Sequence, residues 1–116
     1  MKLGQDENRN NPPCWNKDVQ ARALRVELAD GSFYIFPYNH FVIARFASSR
    51  ECDTVHVVLD THEVEIAGKH LRVVGLAFQD LAVDWVRELP ARYSPQADDD
   101  DAWITSITVS EVQERA

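Results

Sequence analysis

The chain carries His40, His56, His62 and His70 together with Cys14, Cys52 and 19 Asp/Glu, the residue types that ligate metals or transfer protons. Their spacing is what matters. His62-Glu63 opens like the zincin signature HExxH, but position 66 is Ile, and the surrounding alternation belongs to a strand and not to a helix. Cys52 and His56 are four residues apart; on a strand that is roughly 13 Å, too far to share one ion. His62 and His70 can approach only if the chain reverses at Gly68. Ser48 and Ser49 lack GxSxG surroundings, and Cys52 has no evident base beside it, so no activated nucleophile stands out. Asp60, Glu63 and Glu65 lie close together, in the position of acidic residues on a solvated strand face. There is no P-loop, no GxGxxG and no EF-hand spacing. No cofactor is expected.

Aromatic side chains form a second group. Tyr34, Phe36 and Tyr38 alternate, with His40 beyond, and such a row can serve as a stacking platform for bases. Arg22, Arg25, Arg45 and Arg50 lie in the same half and could meet phosphates. The bland reading of the same aromatics is a second core layer or a subunit interface. The candidate binding surface is Tyr34, Phe36, Tyr38, His40 and Arg45.

The elements that position these residues follow from hydrophobic period. Leu24, Val26 and Leu28 alternate with Arg25 and Glu27, Asp30-Gly31 reverses the chain, and Ser32 to Phe36 returns. This predicts a hairpin with a type I′ turn. Its return strand is apolar on both faces, Phe33 and Ile35 on one and Tyr34 and Phe36 on the other, so both need cover. Pro37 cannot donate to a ladder and marks an edge, a bulge or a strand end. Further strands are expected at 41–46, 54–60 and 62–66, with Val55, Val57 and Leu59 inward and His56 and Asp60 outward.

From Lys69 the period changes: Leu71, Val74, Phe78, Leu81, Trp85 and Leu89 are spaced by three and four, which predicts an amphipathic helix closed by Pro90. No side chain caps its start, and Gly75 costs about 1 kcal/mol in a helix interior. Val83 and Trp85 also fit a short strand, which would end the helix near Ala82. Trp103 to Val109 reads as an edge strand that pairs with the chain's own sheet in preference to another subunit's.

Composition bounds the function. With 45% hydrophobic and 27% charged residues in 116, one core is expected: an α+β domain with a five-stranded, mainly antiparallel sheet, or a small barrel, and one helix on a face. Residues 1–20 read as a disordered arm, 21–93 as the domain, 94–102 as an acidic linker and 103–116 as an edge strand and tail. The formal charge is −7, and the acidity is concentrated from Glu51 onward, where 14 of the 19 Asp/Glu lie against 5 of the 12 Lys/Arg. That opposes general affinity for nucleic acid or anionic membrane. No span or signal peptide is visible, and two cysteines without CxxC spacing suit a reducing compartment, so a cytoplasmic location is expected.

VELADGSFYIF resembles the opening strands of Sm-like RNA-binding proteins, and IAGKHL, Ile66 to Leu71, is similar to that family's short Gly-containing second motif. The resemblance covers Leu24 to Leu71 and implies a small curved sheet that assembles into a ring. The bending glycine of the family's second strand and its Asp/Asn nucleotide-binding pair have no counterpart here, and a helix follows where the family has one preceding, so no binding residue is carried across. The functional expectation is a non-catalytic binding or interaction protein that forms a homo-oligomer or meets another protein. The alternatives are a single-stranded nucleic-acid module and a metal-dependent enzyme using His56, His62 or His70.

Overall fold

A computed structural model describes residues 13–90 and 101–112. Among the described residues the strands are β1 (Trp15–Lys17), β2 (Ala23–Glu27), β3 (Phe33–Pro37), β4 (Phe41–Ser48), β5 (Asp53–Leu59), β6 (His62–Lys69), β7 (Val83–Arg87) and β8 (Trp103–Glu111), and the one α-helix is α1 (Arg72–Ala77). They form two four-stranded sheets in place of the expected single five-stranded one, and neither closes into a barrel. The first sheet has the order β1-β7-β2-β3; the second is the antiparallel meander β4-β5-β6 with β8 beside β6. β8 thus pairs with the chain's own sheet, as expected.

β7 is the strand that the sequence offered only as the alternative to a helix running on to Leu89. It lies between β1 and β2, antiparallel to the first and parallel to the second. Val83, Val86 and Leu89 repeat every three residues, so this strand looks like the continuation of a helix. The helix instead stops at Ala77, and a 3₁₀ turn, Phe78–Asp80, leads to Leu81 in the left-handed region at φ 52°. The Ala82 N–H donates to the Ala77 carbonyl at 3.0 Å and the Leu81 N–H to Phe78 at 3.0 Å, the two bonds of a Schellman stop. The helix start is capped from another element: Asp53 Oδ2 accepts the Leu71 N–H at 3.1 Å.

β1 lies inside the stretch read as a disordered arm. Cys14 is buried, and Trp15 sits opposite Val86. Residues 1–12 and 91–100, which hold the rest of the arm and most of the acidic linker, are outside the described residues, as is the tail at 113–116.

The β2–β3 hairpin is present with a different turn. The Leu28 N–H donates to Ser32 O at 2.9 Å and the Gly31 N–H to Leu28 O at 3.0 Å, while Gly31 has φ 91° and Asp30 is not in the left-handed region. That is a three-residue loop closed by a glycine bulge, not a type I′ turn. Asp30 secures it by accepting the Ser32 hydroxyl and N–H at 2.6 and 2.9 Å.

The inner faces of both sheets and α1 enclose one apolar core. Leu24, Val26, Val83 and Val86 come from the first sheet, Val55, Val57, Leu59, Val64 and Ile66 from the second, and Val74, Ala77 and Phe78 from the helix and its end. The described core contains no buried charged or polar residue. Each fully buried Leu, Ile or Val contributes on the order of 1.5–3 kcal/mol before entropy is charged against it.

Candidate interaction surface

The outer face of the first sheet is uncovered among the described residues. Register places Arg25 between Trp85 on β7 and Ile35 on β3, and Glu27 between Arg87 and Phe33. The central residues are coupled. Arg87 lies 4.6 Å and Arg25 5.9 Å from the Trp85 ring centre. Both guanidiniums also donate to Glu27, at 2.8 and 2.6 Å through Nε. Burial alone would raise the Glu27 pKa; the bonds from Arg87 and Arg25 outweigh it and hold the carboxylate below its ordinary value. An Arg–Trp–Arg platform results, in which one carboxylate ties both cations.

Beside this platform lies exposed apolar surface. Phe33 is 55% and Ile35 58% exposed, on a strand at the end of its sheet. Aromatic and Arg side chains fixed in place on an open face are the composition of binding hot spots.

The five candidate residues read from the sequence do not form one surface. Tyr34 and Phe36 stack with ring centres 5.6 Å apart, but on the inner face, where His62 packs against both at 5.7 and 5.4 Å. Phe36 is buried and Tyr34 is only partly accessible. Tyr38 is buried in a 3₁₀ turn, Tyr38–His40, and its hydroxyl donates to the Val83 carbonyl at 2.6 Å. Burial pushes its pKa up. His40 pairs with Asp60 at 2.9 Å, and Arg45 lies exposed on the outer face of the second sheet, opposite His56. The open aromatic face of the hairpin is therefore Phe33 with Ile35, the converse of the stacking row. Alternation identified both faces, and only the position of the second sheet decides which is covered.

The histidines are dispersed. His56 pairs with Glu63 at 2.9 Å, His62 packs on Tyr34 and Phe36, and His70 stands before the helix at φ 57°. Among the described residues no three His, Cys, Asp or Glu converge as a metal site. No hydroxyl or thiol among them bonds His40 or His56, so neither His–carboxylate pair has a nucleophile in place. No helix among them is long and apolar enough to cross a membrane.

A second apolar region is a groove of about 480 Å³ lined by Phe41, Val42, Ile43, Leu76, Phe78 and Leu81, among others. Gln79 is its one polar side chain, and it lacks the convergent polar groups of a small-molecule site.

The helical period counts Trp85 into an apolar stripe and passes over Arg87; the two-residue spacing of Trp and Arg is the signal that places both on one strand face. Comparison with family models, curated proteins and solved structures finds no significant match.

Proposed function

We propose that this is a small non-catalytic cytoplasmic interaction protein that works through the open side of its first sheet and associates with itself. The observation that carries the reading is the pairing of Phe33 and Ile35, more than half exposed, with the fixed Arg25–Trp85–Arg87 platform. Single exposed apolar residues are ordinary; two adjacent ones on an end strand beside an Arg–Trp cluster make a patch. Sedimentation velocity from a few to several hundred micromolar tests it. Concentration-dependent association, abolished in a Phe33→Asp/Ile35→Asp double variant, is expected. A monomer throughout overturns the self-association reading.

A second reading, a single-strand nucleic-acid module of the kind the Sm-like resemblance implies, draws on the same face, where exposed Phe33 could stack a base once Arg25 and Arg87 exchange Glu27 for phosphate. The net charge of −7 opposes it. Salt-dependent binding of a labelled oligothymidine would favour it over self-association.

A further inference from the structure

Resting on the self-association reading, we infer that β3 joins β3 of a second copy, antiparallel about a two-fold axis through Tyr34, extending the first sheet across the dimer.

The four strands at sheet ends differ in how they are protected. β1 has three residues and a register shift between Asn16 and Lys17. β4 has a shift between Phe41 and Ile43 and carries Arg45. β8 presents Thr105, Ser106, Thr108 and Ser110 and ends at Glu111. Bulges, short length, proline and polar or charged side chains are the devices that keep edges from pairing. β3, with the sequence FYIFP and an unbroken register, has no charge and no bulge, and its one such device, Pro37, stands at the strand end outside the Phe33–Ile35 segment.

The hydrogen-bond alternation of β3 selects the register. Leu28 bonds Ser32 and Tyr38 bonds Arg22, so the pairs Val26–Tyr34 and Leu24–Phe36 between them are the bonded ones. Phe33, Ile35 and Pro37 therefore turn their main-chain groups to the free edge. Pro37 has no N–H, and there it leaves no bond of this sheet unmade. With Tyr34 on the axis, Phe33 of each copy faces Ile35 of the other, and every outward N–H of these residues meets an outward carbonyl. With Ile35 on the axis, Phe33 faces Pro37, and its carbonyl stays unpaired. Pro37 thus disfavours the second register.

A second copy of this chain matches the edge because β3 sets aromatic against β-branched side chains with no like charges opposed. The same operation on β4, matching Ala44 to Phe46, would set Arg45 against its own mate. Area fixes the strength. Phe33, Tyr34 and Ile35 are 55%, 38% and 58% exposed. They offer on the order of 300 Å² per copy, taking roughly 200 Å² for a large side chain. Two copies bury about half of the roughly 1,200 Å² at which stable interfaces begin. An interface of this size belongs with the weak, transient ones, so the dimer is a reversible one.

The test uses the full chain in a Cys52→Ser background, with Cys14 buried. A Tyr34→Cys variant brings two thiols together on the axis, where Cα atoms of a non-hydrogen-bonded pair lie about 4.5 Å apart, within disulfide reach. An Ile35→Cys variant places its two thiols on Cα atoms roughly 8 Å apart, beyond it. Under mild oxidation most of the Tyr34→Cys protein should run as a covalent dimer and Ile35→Cys should stay monomeric. Amide exchange on the unmodified protein supplies a check that needs no folded variant. Phe33 and Ile35 amides should gain protection at least tenfold between low and high micromolar protein, with Tyr34 and Phe36 protected throughout. Cross-linking through Ile35→Cys instead overturns the register. A dimer in sedimentation with neither cross-link nor added protection overturns the β3 interface while leaving self-association standing. A monomer at every concentration overturns both.

Discussion

Arg87 lies over the Trp85 ring, 4.6 Å from its centre, two residues along the same strand. The same guanidinium reaches Glu27 on β2 at 2.8 Å. Stacking and ion pairing together hold an Arg that would otherwise sample solvent, which makes Glu27 the residue that orders the platform.

Glu27→Gln should therefore cost about 1 kcal/mol at pH 7, the size expected of a partly exposed charged network. The sign with pH follows. The folded Glu27 pKa lies below its ordinary value of 4.5, so its stabilisation is complete above that value and is lost as pH falls through the folded pKa. Urea unfolding of both proteins at pH 7 and pH 3 should show the difference shrinking at the lower pH.

Tyr38→Phe removes the hydroxyl that donates to the Val83 carbonyl inside the core. A loss of about 1–2 kcal/mol is expected in urea unfolding, because the carbonyl is left without that partner. Burial raises the Tyr38 pKa, so its contribution is intact below its ordinary value of 10 and declines as pH rises beyond it.

Asp53 joins three elements: its Oδ1 accepts the Ser48 hydroxyl at 2.6 Å and its Oδ2 the Leu71 N–H at 3.1 Å. Asp53→Ala should destabilise by about 1 kcal/mol, the cost of a lost helix cap. Hydrogen exchange should rise first in the amides of α1.

Two glycine variants should separate strain from collision. A Cβ at Gly31 meets open space, so Gly31→Ala costs only the φ of 91°, about 1–2 kcal/mol. A Cβ at Gly68 would run into the Trp103 carbonyl. Gly68→Ala should thus displace β8 and lower stability by at least about 3 kcal/mol, read in thermal unfolding.

Cys14 is buried, its thiol donating to the Ala102 carbonyl at 3.3 Å, and burial pushes its pKa up to about 11. A thiol reagent at pH 8 should modify Cys52 quickly and Cys14 only in denaturant. Simultaneous reaction of both would show that β1 opens readily.

The sequence alone determined whatever rests on neighbouring residues. Period-two alternation located β2, β5, β6 and β8, strand-favouring runs located β3 and β4, and the alternation sorted Val55, Val57 and Leu59 inward from His56 outward, because a pleated backbone enforces it locally. Pro37 announced an edge for the same reason. Tertiary structure decided the rest. Val83 to Arg87 satisfies a helical period as well as a strand, and the parallel pairing with β2, far back in the chain, together with the left-handed turn at Leu81, settles it. The working face of β3 was likewise undecidable locally. Both of its sides are apolar, and only the packing of His62 and the second sheet on Tyr34 and Phe36 leaves Phe33 and Ile35 open.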